Sequence, residues 1–152
     1  NLAKLVELTL NDGWDPHTKK QVFPPVAKVE DLETFEDFYQ VFLKHMDYGY
    51  NVQRKISNLG NATREMLVPN IFRSCLLEGC IEKGLCEEAG GPKFSQSLCI
   101  TTAGVDAANS LYAVKHLVYD TRKLTMTDLK AALAANFEGY EAIEKLCFSM
   151  AS

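Results

Sequence analysis

The chain of 152 residues has the size of one ordinary globular domain. Its 47% hydrophobic and 24% charged residues are close to the average of soluble proteins, which excludes disordered, collagen-like and disulfide-dense chains. The formal net charge is −4 and no run of Lys or Arg exceeds two residues, so a nucleic-acid partner is not expected. The sequence has no apolar run of about 20 residues and no signal peptide, which favours a soluble cytoplasmic protein without a membrane partner.

The five cysteines are an odd number in a chain without an export signal, which favours free thiols in a reducing compartment. Cys75, Cys80 and Cys86 are separated by four and five residues and do not lie on a zinc-knuckle-like turn. Small buried thiols are therefore favoured over a metal site. Cys99 lies on the polar face of a predicted strand, but no histidine lies near it in the sequence to activate it.

The N-terminal residues predict a helix and then an irregular loop. Apolar side chains follow helical spacing over residues 2–10, and Asn11, Asp12 and Gly13 end the helix. The loop over residues 14–28 contains Pro16, Pro24 and Pro25, which oppose both a helix and a central strand. Because helical spacing starts at once and residue 1 is Asn, we expect the chain to be a piece of a longer protein.

The middle of the chain predicts two helices. The first begins after Thr34, which with Asp37 has the spacing of a helix cap and its reciprocal partner, and it ends before Pro69. The second, shorter helix is predicted over residues 71–83, with Gly84 at its end.

A single strand is predicted near residues 93–101. Gly90, Gly91 and Pro92 break the helical pattern, and the apolar face that follows has a period of two residues. One strand cannot satisfy its own backbone hydrogen bonds. Its partner must lie either in the proline-containing loop over residues 14–28 or in chain outside this sequence.

The C-terminal third predicts three further helices. One begins near Ala103, and Thr125 with Asp128 forms a capping box that opens the next. Gly139 separates this helix from a final amphipathic stretch.

Few residues in the sequence point to chemistry. Gly90 and Gly91 lack the third glycine and the Lys-Ser/Thr pair of a phosphate loop, so a turn is favoured there. His45 and His116 lie in helical patterns and are interpreted as packed or surface side chains. His17 lies in a loop, where functional residues concentrate, and stays a candidate.

Several segments, taken in order, resemble the glycyl radical enzymes of the pyruvate formate-lyase type. The helix and turn over residues 1–13 resemble those that follow the active-site cysteine loop of that family. The family's Cys-Ile-Glu-Lys/Arg-Gly helix end and Gly-Gly strand are similar to Cys80–Gly84 and Gly90–Phe94. The closest resemblances are Leu124–Leu129, similar to Thr-Met-Glu-Glu-Leu, and Ala134–Glu141, which contains Asn-Phe-Glu-Gly-Tyr-Glu. Where the family usually has Gly-Gly-Ala-x-Tyr-Asn, this chain has Pro92, Lys93, Phe94 and Ser95 after the glycines, which leaves the substrate subgroup open.

The resemblance implies an α/β fold in which residues 1–152 form a partial pyruvate formate-lyase-like domain of a ten-stranded barrel, this segment being mostly α-helical. A glycyl radical, installed by a separate S-adenosylmethionine/iron–sulfur activase, would generate a cysteine thiyl that abstracts hydrogen from a small-molecule substrate. Cleavage of a C–C, C–O or C–N bond would follow, in a homodimer of an anaerobic cytoplasm. The active-site Cys loop and the radical Gly loop would lie outside these residues, so the segment alone would be inactive and hold no catalytic residue, metal or cofactor.

The resemblance and the turn together select six residues as candidates for lining or shaping the substrate cavity. They are Gly90, Gly91, Phe94, Ser95, Gln96 and His17. Gly91→Val is predicted to disrupt entry into the strand if a positive φ is needed there. The alternative is a mostly helical, non-catalytic scaffold or interaction module that ends near these termini.

Overall fold

The computed structural model describes residues 1–95 and 101–150 and divides the chain into two compact units. The first unit comprises Asn1–Gly49 and Thr101–Ser152, and the second comprises Tyr50–Ile100. Helices dominate the described residues, as predicted. Of these helices, none combines the length and the apolar character needed to cross a bilayer.

The first unit opens with helix α1 (Leu2–Leu10), which confirms the predicted bounds. The Asn1 side chain caps it by accepting from the Lys4 amide at 3.2 Å. The predicted irregular loop is wrong in one part, because strands β1 (Trp14–Asp15) and β2 (Lys20–Gln21) pair there as a short antiparallel hairpin. Pro16 lies between the two strands, where its missing N–H removes no ladder hydrogen bond.

Helix α2 (Phe35–Leu67) runs for 33 residues. Its predicted cap is confirmed, since the Asp37 amide donates to the Thr34 hydroxyl at 3.1 Å and that hydroxyl donates to the Asp37 carboxylate at 2.6 Å. The first half buries Phe38, Val41, Phe42 and His45. The half that belongs to the second unit is exposed, including Ile56, Leu59 and Met66.

The rest of the first unit lies after residue 100. Helix α5 (Gly104–Val114) continues directly into a π-helical segment (Lys115–Asp120), and α6 (Met126–Ala134) and α7 (Glu141–Phe148) follow. The predicted capping box of α6 is confirmed, with the Asp128 amide donating to the Thr125 hydroxyl at 3.1 Å. The core combines these helices with α1, α2 and a 3₁₀ turn (Val29–Asp31). Its buried members are Leu5, Val6, Leu10, Val29, Phe38, Phe42, Ala107, Val114, Met126 and Leu129.

The single helix predicted over residues 71–83 is wrong. The structure has two short helices, α3 (Ile71–Cys75) and α4 (Cys80–Lys83), and a 3₁₀ turn (Glu87–Ala89) after them. The break occurs because Gly79 adopts a φ of +97°, which no α-helix accommodates. Gly84, with a φ of +62°, ends α4 as predicted.

The strand predicted near residues 93–101 falls largely outside the described residues, because residues 96–100 are not among them. The candidate residue Gln96 and the thiol of Cys99 lie there as well. Thr101, Thr102 and residues 93–95 have no strand assignment.

Candidate functional site

The candidate site that the structure describes is the turn formed by Gly90–Ser95, in the second unit. It follows two short helices whose starts are fixed locally. The Asn70 side chain caps α3 by accepting from the Arg73 amide at 3.1 Å, and the Glu82 carboxylate accepts from the Gly79 amide at 2.9 Å at the start of α4. These contacts give the chain before the turn a defined path.

A buried serine joins α3 to the residues that precede the turn. The Ser74 hydroxyl donates to the Asn70 carbonyl at 2.7 Å and accepts from the Glu87 amide at 2.9 Å. Arg73 and Glu87 add an ion pair at 3.0 Å. Since the Ser74 hydroxyl both donates and accepts, it leaves no unpaired polar group in this buried position.

The two glycines of the turn have different physical roles. Gly90 has a φ of +81°, a conformation that glycine adopts without strain. Gly91 is buried and does not have a positive φ, so the condition attached to the Gly91→Val prediction is not met. Gly91 is required for space, because a Cβ atom there would lie 2.1 Å from the Leu85 carbonyl oxygen and 2.8 Å from the Cys80 Sγ.

The side chains at the end of the turn are exposed to solvent. Phe94 is 84% exposed, Ser95 is exposed, and the Lys93 ammonium lies 5.8 Å from the centroid of the Phe94 ring. An exposed aromatic side chain next to a tightly packed turn presents apolar surface that substrate or further protein could cover.

A small cavity of about 140 Å³ lies beside the turn in the second unit. It is lined by Ile71, Ser74, Cys75, Cys80, Ile81, Gly84, Leu85 and Cys86. Burial is the largest cause that raises the pKa of the Cys80 thiol, which keeps it protonated and a poor nucleophile. The four described cysteines are free thiols, and the described residues contain no group of three His, Cys, Asp or Glu side chains that could hold a metal ion.

His17 lies in the first unit, so the structure places it in a different unit from the turn. It is exposed between β1 and β2, and its amide donates to the Asp15 carboxylate at 3.1 Å. Asp15 also accepts from the Lys4 ammonium at 2.8 Å and from the Thr18 hydroxyl at 2.7 Å. These hydrogen bonds, that from Lys4 above all, hold the pKa of Asp15 well below its usual range.

His45 is a packed side chain, as predicted. It is completely buried in the first unit, where its Nε2 lies 3.2 Å from the Pro24 carbonyl oxygen and its Nδ1 lies 3.3 Å from the Thr9 hydroxyl. A carbonyl only accepts, so Nε2 donates to Pro24, while the single hydrogen of the Thr9 hydroxyl is donated to the Leu5 carbonyl at 2.9 Å. Burial is the main cause that lowers the pKa of His45. His45 therefore connects α1, the loop at Pro24 and α2 in its neutral form.

Comparison with known proteins decides the family. A family model described as pyruvate formate lyase-like matches residues 1–151. The chain belongs to this family of glycyl radical enzymes.

Members of the family with known activities resemble the chain along nearly its whole length. Trans-4-hydroxy-L-proline dehydratase of Clostridioides difficile is 35% identical in an alignment of 151 residues that covers 96% of this chain and 18% of that protein. The 4-hydroxyphenylacetate decarboxylase glycyl radical subunit of Clostridioides difficile (strain CD196) is 32% identical in an alignment of 149 residues that covers 97% of this chain and 16% of that protein. The chain thus spans less than a fifth of either relative.

A solved structure in the family confirms the expected fold class. The glycerol-bound B12-independent glycerol dehydratase of Clostridium butyricum superposes with a TM-score of 0.83 at 31% identity, over 96% of this chain and 18% of that one. The glycyl radical enzyme chain described here is a mostly helical segment of such a fold. The family match favours the enzyme over the alternative of a non-catalytic helical scaffold.

Sequence reasoning missed the residues that hold the turn from the other side, namely Glu78, Gly79 and Lys83. The Lys93 amide donates to the Glu78 carbonyl at 2.7 Å, and a Cβ on Gly79 would lie 2.8 Å from the Lys93 nitrogen. Gly79 gave a signal, since a glycine inside a helical pattern marks a break or a close approach. Glu78 gave none, and Lys83 was included in the Cys80–Gly84 resemblance without its role, because the partners of both residues depend on the path of the turn.

Proposed function

We propose that the protein acts as a glycyl radical lyase that removes water from a small hydroxylated metabolite. The observation that carries this proposal is the similarity of almost the whole chain to a family whose relatives include a dehydratase at 35% identity. Loss of water breaks a C–O bond. Cleavage of a C–C bond by decarboxylation is the second candidate, supported by the decarboxylase subunit at 32% identity.

The residues described here contribute to the substrate cavity in this proposal, and the radical chemistry comes from elsewhere in the protein. The glycyl radical generates a thiyl radical, which abstracts a hydrogen atom from the bound substrate. The turn at Gly90–Ser95 with Gln96 shapes the cavity wall, and Phe94 supplies apolar surface that excludes water from the reacting carbon. His17 is a secondary cavity residue.

The partners and cofactors follow the same proposal. A separate S-adenosylmethionine/iron–sulfur activase installs the glycyl radical, and the active protein is a homodimer in the cytoplasm of an anaerobic cell. The radical glycine and the active-site cysteine lie outside residues 1–152. We therefore expect residues 1–152 alone to be inactive, and no cofactor to bind within them.

The activity is tested on the protein at its native length under anaerobic conditions. The protein is incubated with S-adenosylmethionine, a reductant and the radical activase encoded with it, and electron paramagnetic resonance then measures a glycyl radical. The activated protein is offered hydroxyproline, glycerol, 1,2-propanediol and an arylacetate, and products are identified by mass spectrometry. A radical signal with loss of water from a hydroxylated substrate supports the proposal. Release of carbon dioxide from the arylacetate selects the second candidate, and absence of a radical contradicts both.

The contribution of the turn is tested with matched phenylalanine variants. Phe94→Ala removes the exposed ring of the turn, and Phe72→Ala removes a ring on α3 that is 78% exposed. We expect Phe94→Ala to raise KM by about tenfold, the scale of one lost apolar contact with substrate, and Phe72→Ala to leave KM unchanged. Equal KM values for both variants would remove Phe94 from the cavity.

A further inference from the structure

The backbone of the turn packs directly against the backbone of residues 78–83. Gly79 and Gly91 face each other, since a Cβ on Gly79 would lie 2.9 Å from the Gly91 carbonyl oxygen. On the far side of Gly91, its amide donates to the Cys86 carbonyl at 3.0 Å. Contact of this kind between two main chains leaves no room for a side chain at either position, so it fixes the distance between α4 and the turn.

Glu78 makes a hydrogen bond and an ion pair with Lys93, at the end of the turn. Its carbonyl accepts from the Lys93 amide at 2.7 Å, and its carboxylate pairs with the Lys93 ammonium at 2.7 Å. The ion pair is exposed and contributes little to folding, but the backbone hydrogen bond sets where Lys93 lies. Lys93 immediately precedes Phe94.

Lys83, the last residue of α4, holds the middle of the turn. Its ammonium donates to the Gly90 carbonyl at 3.3 Å and to the Pro92 carbonyl at 3.2 Å. Pro92 has no N–H, so hydrogen bonds from elsewhere to these carbonyls are the means of orienting the peptide units around it. One ammonium bonded to both carbonyls restricts the rotation of the peptide units Gly90–Gly91 and Pro92–Lys93.

We propose that Lys83 is a positioning residue for the substrate cavity. By tying the Gly90 and Pro92 carbonyls to α4, Lys83 fixes the direction in which the chain enters Phe94 and Ser95. The proposal rests on the proposed function, because it assigns to Lys83 the orientation of a cavity wall. Lys83 acts only through the turn and does not contact the reacting atoms.

The test compares three variants of the protein at native length. Lys83→Met keeps most of the side-chain volume and removes the donors, whereas Lys83→Arg keeps the charge and the donors. Lys55→Met is the matched control, because Lys55 is also exposed and lies on α2 in the same unit. Each variant is activated anaerobically, and its radical content is measured so that kcat and KM refer to activated enzyme.

The first readout is hydrogen exchange of the Gly91 and Lys93 amides, which does not depend on activity. We expect Lys83→Met to speed their exchange about fivefold, as loss of one net hydrogen bond predicts, and Lys55→Met to leave it unchanged. The second readout is kcat/KM, which we expect to fall about tenfold in Lys83→Met at unchanged radical content. Lys83→Arg should restore it to within about threefold.

The two readouts separate the inference from the proposed function. Faster exchange without a change in kcat/KM would show that Lys83 holds a turn that does not position substrate, and would overturn the inference alone. Unchanged exchange in Lys83→Met would also overturn it, even if kcat/KM fell. A wild-type protein that forms no radical would overturn the proposed function and the inference together.

Discussion

Replacing Gly91 with alanine should open the second unit around the turn. The new Cβ would lie 2.1 Å from the Leu85 carbonyl oxygen, although real Cβ contacts are essentially never shorter than 3.0 Å. The main chain must therefore shift by about 1 Å, and overpacking of this kind costs about 1–3 kcal/mol. The shift also strains the hydrogen bond from the Gly91 amide to Cys86, worth about 1 kcal/mol. The expected loss is about 2–4 kcal/mol in the free energy of local opening.

The assay is native-state hydrogen exchange of the amides in α3 and α4. A loss of this size speeds their exchange by a factor of about 30 to 1,000 in Gly91→Ala. Gly60→Ala is the control, since a Cβ there meets nothing within 4 Å and alanine favours the helix by about 1 kcal/mol. If Gly91→Ala exchanged within threefold of the wild type, the steric argument would be refuted.

Three further predictions concern the first unit. The free energy of unfolding should decrease as the pH falls below about 6.5, because the pKa of His45 is lowered in the folded state and the unfolded state therefore binds the proton more readily. Urea titrations at pH 7 and pH 5 should show a smaller decrease in the free energy of unfolding for His45→Gln than for the wild type. An equal decrease in both proteins would refute this. Asp15→Asn should reduce the further loss of stability below about pH 4, since the lowered pKa of Asp15 stabilises the fold only while the carboxylate is ionised. Acid unfolding followed by circular dichroism measures this loss. An acid midpoint equal to that of the wild type would contradict the prediction. Thr125→Ala should lower the free energy of unfolding by about 1 kcal/mol through loss of the capping box, whereas Thr127→Ala inside the same helix should not. Urea unfolding of the two variants measures the difference, and equal midpoints would contradict a stabilising cap.

The elements that the sequence predicted correctly are specified by neighbouring residues. The caps at Thr34 and Thr125 each join residues three apart, so the pattern that predicts them is the interaction itself. The helix over residues 2–10 likewise follows from local spacing. The sequence does not predict the hairpin over residues 14–21, because three prolines in this loop oppose a strand, although Pro16 lies in the turn and not in a strand.

The second unit shows why the site was predicted only in outline. The apolar pattern over residues 71–83 suits one helix, but the approach of Lys93 and Gly91 to Gly79 requires a break, which the glycine at position 79 alone indicates in the local sequence. The pair Gly90–Gly91 is enough to predict a turn from the sequence. Gly90 needs a positive φ and Gly91 needs space, but the sequence does not distinguish these two roles. The space at Gly91 is limited by Leu85, Cys80 and Cys86, whose approach to the turn is set by tertiary packing.

The π-helical segment after α5 has a consequence for the alignment of this chain with its relatives. The amide of Thr121 donates to the carbonyl of His116, five residues earlier, so this turn holds one residue more than an α-helical turn. Within it, the Tyr119 ring reaches the rings of Phe35 and Phe38, at centroid distances of 6.1 and 6.4 Å. A homologue that lacks one residue between positions 115 and 120 could continue as a regular helix, and its residues would then have to be aligned with an offset of one from Tyr119 onward. A change of one residue in chain length can therefore be accommodated inside this helix as well as in a loop.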